Sequence, residues 1–239
     1  MRGVLSLSAI NSRPTAVLIA DQLRERIIDG SFGPGDQINE AQVANQLNVS
    51  RGPVREALQR LVQEGLLIGR PNRGVFVREL TLRDIAEVFE AREVIECAAA
   101  ESIVAHSEAE REELVAQLTS IAQRMQDPLD ARDWSALSRV DIDFHTTLVD
   151  AGGNSRLTRA YQTLATEALI CLAHFENTYP LPDRVVPGHL EIAELLRGTD
   201  MEAIHLALHQ HLLVENDELH THPVAEALRH GRNDSAVQT

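Results

Sequence analysis

Lysine is absent from this chain of 239 residues, and all 22 of its basic side chains are arginine. Nothing in the sequence explains the bias, but arginine is the better bidentate partner for phosphate, guanine and carboxylate. Cysteine is almost absent too: Cys97 and Cys171 stand alone without C-x-x-C pairing. That excludes a disulfide scaffold or a cysteine-rich zinc ribbon and fits a reducing, cytoplasmic compartment. One Trp, two Tyr and five Phe leave a core of Ala, Leu, Val and Ile, which suits packed helices better than a sandwich or barrel. Unbroken apolar runs such as Ala16 to Ala20 fall far short of the roughly 20 residues that span a bilayer, so no membrane partner is expected. The first residues lack an A-x-A-like cleavage site, and 1–14 read as a flexible N-terminal arm rather than a secretory signal. Internal repeats and low-complexity stretches are missing as well.

Charge divides what remains. The formal net charge is −14, which, spread evenly, argues against nucleic acid. Residues 1–78 nevertheless hold 10 Arg against 7 acidic residues, a balance of +3. Residues 79–239 hold 12 Arg against 29 acidic residues, a balance of −17, together with all ten His. A mildly basic unit joined to an acidic, histidine-rich one predicts two domains with separate tasks.

In the basic unit, Ala16, Val17, Ala20, Leu23 and Ile27 recur at helical spacing, and the helix is expected to stop at Gly30. Asn39, with Gln42 three residues on, predicts the cap of a second helix that turns Val43, Ala44 and Leu47 inward. Ser50 is expected to cap a third helix with Pro53 in its first turn and Val54, Leu58, Leu61 and Val62 facing inward. Gly65 ends it, and extended pieces at 66–68 and 74–77 flank a loop at 69–74. Helix, helix, turn, helix, hairpin is the order of a winged helix-turn-helix, here over 15–78. Arg51 and Arg55 on the exposed start of the third helix can reach base edges in a major groove, and Gly52 permits close approach. Ser50 and the helix N-terminus can meet a phosphate, while Arg70, Asn72 and Arg73 ride on the wing. The plainer alternative is a common small fold whose arginines are merely solvated.

The strings Leu-Arg-Glu-Arg-Ile-Ile-Asp-Gly, Pro-Gly-Asp-Gln-Ile-Asn-Glu and Val-Ser-Arg-Gly-Pro-Val-Arg-Glu-Ala-Leu resemble the DNA-binding domain of the GntR family of bacterial transcription regulators. The resemblance implies that Ser50, Arg51, Gly52 and Arg55 occupy DNA-contacting positions of the recognition helix, with Gly74 in the wing. It departs at Ala41, where some relatives place a DNA-contacting Arg.

Thr81 followed by Asp84 predicts a capping pair just after the wing, making 78–81 a hinge. Helical periodicity then predicts helices near 82–106, 109–126, 133–151, 155–176, 184–197 and 200–220, with a short one at 224–230. Breaks are expected at Asp127-Pro128, Gly152-Gly153-Asn154, Pro180 and Pro182, and Gly198, and a disordered tail at 232–239. The fold class expected is mainly α: a winged helix-turn-helix followed by an all-helical antiparallel bundle over 79–231.

Polar residues on apolar stripes are the informative ones. At 100° per residue, Asp141 and His145 share the side of Trp134, Leu137 and Leu148, while Asp143 points away. His189 lies with Ile192, Ala193 and Leu196; His211 lies with Ile204, Leu208 and Leu212; His205 and His209 drift to the rim. One carboxylate and three imidazoles thus point into one core from three helices, a set suited to a divalent metal ion, zinc first, with nickel or manganese as alternatives. Arg92 and Glu96 share the stripe of Ile85, Val88, Phe89, Ala99 and Ile103. Two readings stay open for Arg92: an ion pair with Glu96 one turn away, or a grip on the carboxylate of a bound organic acid.

Phe89-Glu-Ala-Arg92 with Glu96, Asp141-Ile-Asp-Phe-His145, Gly153-Asn154, His189, and Asp200 leading to His211 resemble the FCD domain, the ligand-binding module of the FadR subgroup of GntR regulators. The resemblance implies metal ligation by Asp141, His145, His189 and His211 and a response to small carboxylates, and disfavours the metal-free branch that binds acyl-CoA. The expected function is a cytoplasmic, homodimeric regulator or repressor of a palindromic double-stranded operator, with a small organic acid as effector. Two alternatives are a regulator whose effector is the metal ion itself and a metal-dependent hydrolase or lyase. The enzyme reading lacks a His-Glu-x-x-His motif.

Overall fold

Two hydrophobic cores form in the chain, one at each end of the hinge. The computed structural model describes residues 13–174 and 182–214. The first core is built on α1 (Thr15–Ile28), α2 (Glu40–Gln46) and α3 (Arg51–Gln63). Asn39 caps α2 as its sequence suggests, its side-chain oxygen accepting from the backbone N–H groups of Ala41 and Gln42 at 2.9 and 3.1 Å. β2 (Leu67–Arg70) and β3 (Gly74–Val77) form the wing hairpin. A short β1 (Gln37–Ile38), which periodicity did not reveal, pairs antiparallel with β3 and gives the order β1-β3-β2. Two residues is too short a run to show alternation.

Two details of α3 correct the sequence reading. Val62 is 36% exposed, and Ala57 is fully buried beside Val54, Leu58 and Leu61. Val62 lies about 100° around the helix from Leu61, beyond the edge of the stripe. Ser50 is the cap residue of α3, but its side chain makes no capping hydrogen bond.

The second core is entirely helical: α4 (Leu82–Val104), α5 (Glu108–Gln123), α6 (Gln126–Asp130), α7 (Trp134–Ala151), α8 (Ser155–His174), α9 (Pro182–Leu195) and α10 (Met201–His209). α4 opens on the capping box of Thr81 and Asp84, and α5 on a second box of Ser107 and Glu110. Asp127-Pro128, expected to be a break, lies inside α6, because proline is tolerated in a helix's first turn. Between α7 and α8, Gly152 lies so close to Ala99 of α4 that a Cβ there would sit 2.9 Å from the Ala99 Cα and Cβ, so the turn requires glycine. The helix expected at 200–220 instead ends as α10 and widens into a π-helical turn, Gln210–Val214. The expected helix at 224–230, the tail at 232–239, most of the N-terminal arm and the helix ends at 175–176 and 215–220 lie outside the described residues.

α8 joins the two cores. Ile170 on α8 is 2% exposed and packs into the first core, among the helices of the winged unit. Glu167, one turn before it, pairs with Arg78 at the end of the wing. Its carboxylate also lies over Gly65, whose φ of +80° and lack of a Cβ both matter: an added Cβ would fall 2.8 Å from Glu167 Oε1. Arg139 on α7 reaches Glu25 on α1 at 2.5 Å across the same seam. Among the described residues, no helix is long and apolar enough to cross a membrane.

Candidate functional site

α7 supplies Asp141 and His145 one turn apart, α9 supplies His189, and the π-helical turn supplies His211. Their ligand atoms all lie within 4.8 Å of one another, so the fold brings together all four residues singled out by their stripes. His145 Nε2 faces His211 Nε2 at 3.1 Å, and His189 Nε2 faces Asp141 Oδ1 at 3.2 Å. Ligands about 2.0–2.1 Å from a tetrahedral zinc ion lie about 3.3 Å apart, a spacing that these two pairs approach.

The outer nitrogens are already engaged. His145 Nδ1 is 2.6 Å from Glu96 Oε2, and His189 Nδ1 is 2.7 Å from the Val185 carbonyl oxygen. Each acceptor fixes the Nδ1–H tautomer and leaves the Nε2 lone pair facing the cluster. Gly188 leaves room for the third imidazole, since a Cβ there would stand 3.3 Å from His211 Nδ1.

Burial sets the protonation states. It holds His145 below the usual histidine range, against the opposing pull of Glu96. His211 is pushed well below it by burial and by the neighbouring His189 and His145. Burial acts to raise the Asp141 carboxyl, but the hydrogen bond and charge of His189, with His145 and Arg92, outweigh it and keep the group ionised. An ionised carboxylate beside imidazoles that burial disfavours charging, as at His145 and His211, is the set that binds a metal ion.

Asp143 and His209 are excluded, as their helix faces predict. Asp143 pairs at the surface with Arg124, and His209 Nδ1 lies 2.7 Å from Glu93 Oε1. His205 lies at the rim, 3.6 Å from Glu101.

Arg92 is 1% exposed and satisfies part of each reading open to it. Its Nε donates to Glu96 Oε1 and to the Tyr161 hydroxyl, each at 3.2 Å, so the intrahelical pair exists. Among the described residues its Nη2 is buried without a hydrogen-bond partner, which leaves a donor available for an anion. Burial works against the charge on Arg92, yet Tyr161, Glu96 and Asp141 keep it protonated. Tyr161, on α8, was not singled out in the sequence, where one aromatic on an apolar stripe looks like core.

At the other end of the molecule, Ser50, Arg51, Gly52, Arg55, Arg73 and Gly74 are all exposed. A Cβ added at Gly52 would meet nothing within 4 Å. The fold therefore does not need glycine in this first helical turn, where it is costly relative to alanine. Glu40 on α2 holds Arg55, and Gln37 Nε2 donates to the Arg73 carbonyl at 2.8 Å, tying the wing tip to β1. Neither contact was visible in the sequence, because both join residues far apart along the chain.

The family model for bacterial regulatory proteins of the gntR family matches residues 15–77, and the FCD domain model matches residues 87–213. The chain belongs to the GntR family. This GntR regulator is 28% identical over 236 residues to a "Probable D-xylose utilization operon transcriptional repressor" of Paenarthrobacter nicotinovorans, covering 97% of this chain and 99% of that one. It is 30% identical over 201 residues to the gluconate operon transcriptional repressor of Bacillus licheniformis, covering 82% and 81% of the two chains. A solved GntR structure from Rhodococcus sp. RHA1 is 29% identical with a TM-score of 0.71, covering 85% of this chain and 96% of that one. The GntR regulator is thus a DNA-binding transcription regulator with an FCD domain, and its relatives are regulators rather than enzymes.

Proposed function

We propose that this GntR regulator binds a palindromic operator as a homodimer in the cytoplasm, and that a small carboxylate at a divalent-metal site in its helical domain changes its affinity for that operator. The observation carrying the reading is the Asp141, His145, His189 and His211 cluster, assembled in the same core as the open Nη2 of Arg92. A divalent ion held by one carboxylate and three neutral imidazoles keeps a net positive charge. With the guanidinium of Arg92 it forms a site whose natural complement is an anion with two oxygens. When bound, the ion supplies an electrophilic anchor for one such oxygen. Gluconate, for which one relative's operon is named, belongs to this chemical class. Ser50, Arg51, Gly52, Arg55, Arg73 and Gly74 form the DNA-facing set in this reading.

A route to the DNA-binding domain is available through α8. Tyr161 on this helix touches Arg92, and nine residues further on Ile170 enters the first core, with Glu167 pairing with Arg78 between them. A ligand that prefers one position of α8 therefore shifts the orientation of the winged unit, which is how differential affinity becomes regulation. A cleft of about 930 Å3 between α1, α3 and α8 leaves room for such a movement.

The deciding experiment is titration of zinc, nickel and manganese into the protein on operator DNA, with and without a panel of metabolic carboxylates. A response that needs both metal and acid supports the proposal. A response to the metal alone would transfer the effector role to the ion, and no response to either would overturn the reading.

A further inference from the structure

Glu96 is fully buried and divides its two oxygens between two groups of residues. Oε2 accepts from His145 Nδ1 at 2.6 Å, whereas Oε1 accepts from the Tyr161 hydroxyl at 2.7 Å and from Arg92 Nε at 3.2 Å. His145, Tyr161 and Arg92 come from three different helices and are themselves at most 1% exposed. The orientation of a carboxylate so enclosed is set by these three donors.

We propose that Glu96 is the positioning residue of the metal centre: it holds His145 in the tautomer that presents Nε2 to the ion and, with its other oxygen, aims Arg92 so that Nη2 is left for the effector. The inference rests on the metal reading above and extends it to a residue that does not touch the ion. Its chemistry is that of a carboxylate behind a metal-bound histidine. The acceptor at Nδ1 removes the alternative tautomer and raises the basicity of Nε2. Because the same carboxylate also receives Arg92 Nε, the Arg92 side chain cannot swing to satisfy Nη2 elsewhere without giving up that bond. One residue thereby sets both the metal ligand and the anion donor, and the main-chain acceptor behind His189 has no such double role.

The test is zinc affinity of the full chain, measured by competition with a chromophoric chelator, for the wild type, Glu96→Gln and Tyr161→Phe. Glu96→Gln keeps the side-chain shape but removes the charge, and is expected to weaken zinc binding about 10–100-fold. Tyr161→Phe removes a hydrogen bond from the same carboxylate while leaving the one to His145, and is expected to stay within about threefold of wild type. A purely structural role for Glu96 predicts the same loss in both variants, and that result overturns the proposal. Zinc affinity unchanged in Glu96→Gln overturns it alone, while absence of zinc binding in the wild type overturns the metal reading as well. Should Glu96→Gln fail to fold, nitrogen NMR of the zinc-loaded wild type decides the matter. A proton on His145 Nδ1 with zinc on Nε2 supports the positioning role, and the opposite tautomer overturns it.

Discussion

Glu40 holds Arg55 by one edge of its guanidinium: Nε and Nη2 of Arg55 donate to the two carboxylate oxygens at 3.1 and 2.8 Å. The opposite edge, formed by Nη1 and the second hydrogen of Nη2, is left open, and it is the edge that can meet guanine O6 and N7 together. Arg55→Ala is therefore expected to weaken operator binding about 5–150-fold, as is Arg51→Ala. Glu40→Ala is expected to cost less affinity but to reduce discrimination against mutated operators, because the freed guanidinium samples other orientations. Fluorescence anisotropy on cognate and altered operators measures both effects, and unchanged affinity in both arginine variants would remove Arg51 and Arg55 from the interface.

Metal content should follow the geometry of the cluster. Asp141→Ala, His145→Ala, His189→Ala and His211→Ala are each expected to lose bound metal, whereas Asp143→Ala and His209→Ala retain it, since those two side chains pair at the surface with Arg124 and Glu93. Elemental analysis of the purified variants checks this. Full occupancy in His211→Ala would show that the π-helical turn contributes no ligand.

Arg92→Ala is expected to abolish the change in operator affinity caused by a carboxylate while leaving zinc content intact. It also strands Glu96 without its guanidinium partner, and breaking a buried ion pair in this way typically costs about 3–5 kcal/mol. Arg92→Met, which keeps more of the buried volume, is the companion variant. Operator affinity with and without effector is the measurement, and an effector response equal to wild type in Arg92→Met would return Arg92 to a structural role.

Ile170→Ser is expected to uncouple the two halves of the molecule, because it places a hydroxyl where α8 enters the apolar core of the winged unit. Zinc and effector binding are expected to persist while the effector-induced change in operator affinity shrinks from the 5–150-fold typical of allosteric coupling toward unity. Faster proteolysis at residues 78–81 would accompany it. A wild-type effector response in this variant would exclude α8 as the connecting element.

Acid should destabilise the metal-free protein. His145 and His211 are held below the usual histidine value of about 6.5, chiefly by burial, so the unfolded chain binds protons that the folded chain does not. Stability is complete above about pH 6.5 and is lost as pH falls from there through the lowered folded values. Glu96 and Asp141, both held ionised by neighbouring charge against the effect of burial, add losses of the same sign at lower pH. Thermal melts of the apo protein between about pH 8 and pH 5.5 should show a falling Tm, and the fall should be at least as steep once zinc is bound, because protons compete with the ion for its ligands. A Tm that rises on acidification would contradict the neutral state of these imidazoles.

The sequence by itself determined the features that obey local rules. Asn39 and Thr81 cap helices because their oxygens reach backbone N–H groups two or three residues ahead, a relationship fixed by spacing. The inward faces of Asp141, His145, His189 and Arg92 were legible for a related reason, since helical periodicity alone ranks which side of a helix meets the core. Periodicity missed the two-residue β1, put a break at Pro128 inside α6, and read a regular α-helix where a π-helical turn occurs, although it still placed His211 on the inward face. Tertiary structure alone decided the rest. Which oxygen of Glu96 meets His145, which edge of Arg55 Glu40 holds, and that Ile170 belongs to the core of the other unit are contacts between residues 15 to more than 100 positions from their partners. No local rule relates such residues, because their meeting depends on how whole helices pack, and a packed interior selects one arrangement among many that share the same stripes.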